Sequence, residues 1–154
     1  MTAKAIPDGY HSITPYMTCR NAAGAIEFYK QAFGAVEKGM MKSPDGKVAH
    51  AELQIGDSII MLGDEFPEMG ALSPQSTGGA GMGLHIYLED VDAAFDRAVR
   101  AGAKVEMPLA DMFWGDRYGK LADPFGHKWS IGTHKRDVSM EDMAAAMQQM
   151  PKSA

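Results

Sequence analysis

The strongest constraint on the fold is an internal echo. Residues 13–62 and residues 84–134 each read as a strand, a helix and three further strands. In the first copy, residues 13–19 lead into 22–34, where Ile26, Phe28, Tyr29 and Phe33 recur at helical spacing before Gly34 stops the helix. In the second, residues 84–88 lead into 91–102, where Val91, Phe95, Ala98 and Val99 do the same before Gly102. Both helices finish alike, as Gly34-Ala35-Val36-Glu37 and Gly102-Ala103-Lys104-Val105-Glu106. Short alternating runs follow, parted by the turn sequences Ser43-Pro44-Asp45-Gly46, Gly56-Asp57 and Asp123-Pro124-Phe125-Gly126. The pattern predicts an α+β fold of two tandem βαβββ modules, module one over residues 11–62 and module two over 84–134. Residues 63–83, rich in Gly, Pro and Ser, read as a surface connector able to act as a flap. Met140, Met143, Met147 and Met150 are spaced by three and four behind Ser139 and Asp142, which predicts a short helix over 139–149 that packs on the body or on a second subunit.

At 154 residues, the chain fits one ordinary domain spanning 1–154, and 45% hydrophobic with 23% charged residues lies in the soluble globular range. A formal net charge of −5 leaves no basic surplus to neutralise phosphates, so neither nucleic acid nor an anionic membrane is an expected partner. No segment is long and apolar enough to span a bilayer and the opening residues do not read as a signal peptide, so the cytoplasm is the expected compartment. Cys19 is the only cysteine, which excludes an intrachain disulfide and a multi-cysteine zinc site; it reads as a small buried strand residue.

Alternation sorts the strand residues onto two faces, because side chains two apart share a face. Leu84, Ile86 and Leu88 oppose His85, Tyr87 and Glu89; Ala51, Leu53 and Ile55 oppose His50, Glu52 and Gln54; Ile13, Met17 and Cys19 oppose Thr14, Tyr16 and Thr18. With helices over the apolar rows, the polar rows either face solvent or line a pocket with mixed polar and aromatic walls.

The two-module pattern resembles the vicinal-oxygen-chelate superfamily of glyoxalases, bleomycin-resistance proteins and dioxygenases. Particular words narrow the resemblance to its PhnB-like branch: Pro15-Tyr16, Ala25-Ile26-Glu27-Phe28-Tyr29-Lys30, His50-Ala51-Glu52-Leu53, Phe113-Trp114-Gly115-Asp116-Arg117-Tyr118-Gly119 and Asp123-Pro124-Phe125-Gly126-His127. It covers roughly residues 11–140. The resemblance implies a curved mixed sheet around a cleft, commonly completed by a homodimer. The branch name suggests phosphonate metabolism, for which the chain shows no specific constellation.

The same resemblance implies that metal-dependent relatives take His, Glu or Gln ligands from the first and last strands of each module. Counting from the strand–helix junctions and the final hairpins places those four positions at Thr14, Met61, Gly83 and Ser130. Hydroxyl and thioether groups hold hard or borderline divalent ions weakly, so no cofactor is expected, with a divalent metal on Glu52 and His85 as the alternative. A two-residue slip would bring His85 onto the Gly83 position without changing its face. The expected activity is the binding of a small aromatic or anionic molecule by Tyr16, His50, Glu52, His85, Trp114, Arg117, Tyr118, Lys128 and Ser130. The alternative is a lyase, isomerase or dioxygenase of the glyoxalase type, metal-dependent or using Glu52, His85 and His50 as acid and base.

Overall fold

The computed structural model describes residues 2–151; position 1 and positions 152–154 of the expected domain lie outside the described residues. Module one comprises β1 (Tyr16–Cys19), α1 (Ala22–Phe33), β2 (Val36–Lys42), β3 (Val48–Ile55) and β4 (Ser58–Asp64). A connector carrying a 3-10 turn at Pro67–Met69 and the short helix α2 (Pro74–Thr77) leads to module two. That module comprises β5 (Gly83–Tyr87), α3 (Val91–Ala101), β6 (Lys104–Asp111), β7 (Asp116–Ala122) and β8 (Lys128–His134), and α4 (Met140–Gln148) follows. The fold is α+β with two tandem modules, each forming its own four-stranded mixed sheet, in the orders β1-β4-β3-β2 and β5-β8-β7-β6. In each, the first strand pairs in parallel with the last and the other ladders are antiparallel.

Local chemistry sets the helix limits. Asn21 and Asp90 cap α1 and α3 by accepting from the backbone N–H groups of Gly24 and Ala93, and both helices end on left-handed glycines, Gly34 and Gly102. The first strand begins later than its alternation suggested. Pro15 has no N–H for a ladder, although its carbonyl accepts from Met61 N at 2.9 Å, and Ile13 is 86% exposed rather than part of the apolar row. The connector is anchored as well as exposed: Ser73 is buried, and its N–H and hydroxyl both donate to Glu65, at 2.8 and 2.6 Å. Among the described residues no helix is long and apolar enough to cross a membrane.

The core lies between the sheets and their helices. Met17, Cys19, Ala51, Leu53 and Leu62 are buried under α1, while Leu121 and Ile131 share one core cluster with Val91, Ala94 and Ala98 of α3. Burial pushes the Cys19 thiol up to about 12, so it is a packing residue and not a nucleophile. The modules meet helix to helix, α1 on α3, and ring to ring: Tyr29 and Phe33 lie 5.3 and 4.8 Å from Trp129, and Phe28 lies 6.3 Å from Phe125.

One buried carboxylate ties this junction. Asp123, in the β7–β8 turn, accepts from Tyr29 Oη at 2.5 Å and Trp129 Nε1 at 2.9 Å. Its other oxygen accepts from the N–H groups of Phe125 and His127, at 2.9 and 3.0 Å. His127 Nε2 then donates across the junction to the Thr18 carbonyl at 2.9 Å. Burial and the Asp123 charge hold the Tyr29 phenol well above its ordinary pKa, so it stays a donor. Asp123→Ala strands these buried donors and should cost about 3–5 kcal/mol in urea unfolding, against about 1.5–3 kcal/mol for Tyr29→Phe. Two variants both unfolding with the wild type would remove Asp123 from this role.

Candidate functional site

The register of the second sheet assembles its polar face row by row, since directly paired residues share a face. His85 pairs with Ser130, which pairs with Lys120; Tyr87 pairs with Gly132, which pairs with Tyr118; Gly83 pairs with Lys128, which pairs with Ala122. A cavity of about 540 Å³ lies over these rows and is lined by His85, Glu106, Tyr118, Lys120, Lys128 and Ser130. Gly132 leaves bare backbone between Tyr87 and Tyr118, and the His85 ring fits beside it, 4.5 Å from Tyr87 edge-on and 5.7 Å from Tyr118 in a stack. Trp114 extends the aromatic wall, 5.2 Å edge-on from Tyr118. His85 Nδ1 and Ser130 Oγ are 2.7 Å apart. Burial, only partly opposed by the Asp116 charge, holds the His85 imidazole below the ordinary histidine range, so it is neutral at neutral pH.

Asp116 positions the aromatic wall. It is 4% exposed and accepts from Tyr87 Oη at 3.2 Å, Trp114 Nε1 at 3.1 Å and His134 Nδ1 at 2.7 Å. Asp137 accepts from the other His134 nitrogen at 2.8 Å, and together Asp137 and Asp116 raise the His134 pKa. The loop carrying Trp114 requires glycine at 115: its φ is +104°, and a Cβ there would lie 2.0 Å from the Arg136 carbonyl oxygen. That close approach lets the Gly115 carbonyl accept from the N–H groups of Lys135 and Arg136, at 2.9 and 3.1 Å.

Module one presents a different chemistry. Tyr16 Oη is 3.0 Å from His50 Nδ1, His50 Nε2 is 3.2 Å from Glu52 Oε1, and Tyr10 Oη donates to Glu52 Oε2. The four side chains form one hydrogen-bonded chain across the sheet. The Tyr10 hydroxyl first, and then His50, hold the Glu52 carboxyl below the usual range, while the same contact raises the Tyr10 phenol.

The expected site residues therefore separate into two sets. Tyr16, His50 and Glu52 meet on sheet one; His85, Trp114, Tyr118, Lys128 and Ser130 meet on sheet two. Arg117 joins neither, because strand alternation turns it to the opposite face from Asp116 and Tyr118. Its Nε and Nη2 donate to Asp92 of α3 at 2.9 to 3.1 Å and its Nη1 to Asp111 at 3.3 Å, so the expected anion fork is occupied by the protein's own carboxylates. Lys128 is also partnered, 2.6 Å from Glu106, whereas the exposed Lys120 makes no ion pair among the described residues. Lys120 and Tyr87 were legible in the period-two alternation with Tyr118 and His85. Tyr10 was not, since it precedes the first strand and no periodicity places it.

Register sets the four positions considered for a metal beside their strand partners. Met61 pairs with Tyr16, not Thr14, and Ser130 pairs with His85, not Gly83. Tyr16 and His85 stand two residues beyond Thr14 and Gly83, on the same faces of their strands, directly opposite Met61 and Ser130. The directly paired set of Tyr16, Met61, His85 and Ser130 holds a single imidazole and no carboxylate, and Glu52, the alternative donor, pairs with Met61 on sheet one while His85 lies on sheet two. Among the described residues no three His, Cys, Asp or Glu side chains form a metal-holding group, and this donor set does not fit a divalent ion of the glyoxalase type.

Comparison with known proteins agrees with this architecture. Residues 10–131 match the family model of the Glyoxalase/Bleomycin resistance protein/Dioxygenase superfamily. The uncharacterized protein Mb0911c of Mycobacterium bovis is 47% identical over 139 residues, covering 88% of this chain and 91% of that protein. Among solved structures, the Arabidopsis thaliana gene product At5g48480 has a TM-score of 0.64 at 28% identity, covering 80% of this chain and 98% of that one. The PhnB protein of Bacillus cereus shares the fold, with a TM-score of 0.63 at 19% identity over 80% of this chain and 99% of that one. Two βαβββ modules, each closing its first strand in parallel on its last, place the chain in the glyoxalase/bleomycin resistance/dioxygenase superfamily.

Proposed function

We propose that this chain binds a small aromatic anion in the cytoplasm, over the polar face of module two, without a divalent ion. The observation that carries the reading is the cavity in which Tyr118 and His85 offer ring faces beside Lys120, Lys128 and Ser130. Aromatic walls hold a flat ligand through dispersion and desolvation, and the two ammonium groups and the hydroxyl fix its anionic end. Lys128 is shared with Glu106, so Lys120 supplies the larger part of the uncompensated charge.

A second copy of the chain completes the site in this reading. Tyr16, Val36, Met41 and Tyr87 are 55%, 59%, 62% and 65% exposed, and all stand on the polar faces, Val36 and Met41 by pairing with Gln54 and His50. Pairing the Glu52 face of one copy with the Lys120 face of another covers this apolar surface and sets opposite charges across the cleft. Sedimentation equilibrium at micromolar concentration should show a homodimer; a monomer throughout that range would count against a shared cleft.

The acid/base alternative is favoured by one observation, the Tyr10–Glu52–His50–Tyr16 chain, which can carry a proton between strand and solvent. Sequestration and catalysis differ in what Glu52→Gln does: in the first case it keeps anion binding or tightens it, because a like charge leaves the cleft, and in the second it abolishes turnover.

Quenching of tryptophan fluorescence by 2-naphthalenesulfonate and benzoate tests the binding reading. Tyr118→Ala should weaken binding about two- to tenfold, and Lys120→Ala should both weaken it and flatten its salt dependence. Arg117→Ala should leave it unchanged. Elemental analysis with added nickel, zinc, manganese or iron should find no stoichiometric ion, and an ion lost on His85→Ala would overturn the metal-free reading.

The lowered His85 pKa gives this binding a direction with pH. Above that pKa the ring is neutral; below it an imidazolium joins the two lysines. Affinity for 2-naphthalenesulfonate, which does not titrate in this range, should therefore rise as pH falls below about 6.5 through the His85 value. His85→Gln should flatten that rise, and a variant that keeps it would locate the titrating group elsewhere.

A further inference from the structure

A second hollow, of about 760 Å³, runs along β5, where Leu84, Ile86 and Leu88 line it together with His85 and Tyr87. Buried Phe33 and Trp129 form its floor, while Leu84, Ile86, Leu88 and Ile60 form its walls. The topology leaves it open. α3 packs mainly on β6, β7 and β8, and α1 on β1, β3 and β4, while β5 is the edge strand of its sheet and its Leu84, Ile86 and Leu88 remain half-buried.

The segment before β1 closes one side. It turns at Pro7, whose carbonyl accepts from Tyr10 N at 3.1 Å, runs past Ile59 and is held to sheet one by the Tyr10–Glu52 hydrogen bond. The rim is polar but not cationic, with the hydroxyls of Thr14 and Ser58, the His11 imidazole and the Asp57 carboxylate. No lysine or arginine lines it among the described residues, which separates it chemically from the lysine-bearing face of module two.

We propose that this hollow is a second ligand site, for an uncharged, largely apolar molecule with a hydroxyl or carbonyl group at one end. The volume lies in the range of pockets that enclose such molecules, and the apolar floor rewards desolvation. The rim hydroxyls hydrogen-bond the polar end, whereas Asp57 and the lack of a cation disfavour a carboxylate or phosphate.

The test uses fluorescence enhancement of the neutral probe N-phenyl-1-naphthylamine on the full chain, with anionic 1-anilinonaphthalene-8-sulfonate beside it. The neutral probe should bind saturably, and at least tenfold more tightly than the anion. Ile86→Phe, which pushes a ring into the hollow beside its floor, should weaken it at least tenfold, while Tyr118→Ala and Lys120→Ala leave it unchanged. Should Ile86→Phe melt early, Ser58→Trp at the rim replaces it with the same expectation. Saturable binding that survives both obstructing variants, or is lost on Tyr118→Ala, overturns the proposal. So does the absence of saturable binding by the wild type, and so does binding that vanishes as the chain self-associates, which would make the hollow an interface between copies.

Discussion

The polar contacts that lock the β7–β8 turn of one module onto α1 of the other converge on the Asp123 carboxylate. A buried charge is tolerated only where its lone pairs are satisfied, and here one oxygen is filled by two backbone N–H groups of its own turn and the other by side chains from both modules. The turn is thereby closed by the same group that docks it. Tyr29 is committed to the junction twice, through its hydroxyl to Asp123 and through its ring to Trp129, so the orientation of α1 relative to β8 follows from one residue's geometry. Non-directional packing of Phe28, Phe33 and Phe125 around this point would by itself permit sliding.

With the helical sides of the sheets so engaged, their polar faces are free for chemistry, and the two faces differ. Module one carries a connected set of proton donors and acceptors with one carboxylate; module two carries rings, a neutral imidazole and lysines. Duplication of the scaffold has not produced duplication of the side-chain chemistry on its polar faces. The positions that correspond by register, Tyr16 with Met61 and His85 with Ser130, share geometry but little chemistry.

Asp116 makes module two a prepared surface rather than a collection of mobile side chains. By accepting from Tyr87, Trp114 and His134 at once, it fixes an aromatic wall, the kind of preorganisation that lowers the entropy cost of the binding proposed for this face. Its role was hidden in the sequence, where Asp116 reads as one acidic residue in a turn-rich stretch.

Periodicity and turn chemistry were sufficient for the two modules, the limits of α1 and α3 and the faces of β3, β5 and β8, because these depend on neighbours within a few residues. The same alternation already implied that Arg117 could not share a face with Tyr118 and that Lys120 could, an inference that grouping residues by proximity in the chain obscured. Pairing register, by contrast, depends on how a strand slides against its partner, and only the tertiary structure showed that His85 rather than Gly83 meets Ser130 and that Tyr16 rather than Thr14 meets Met61. The reach of Tyr10 to Glu52, the four-way use of Asp123 and the hollow beside β5 likewise join segments far apart in sequence. No local pattern encodes such contacts, because each exists only where the folded chain brings the two groups within a few ångströms.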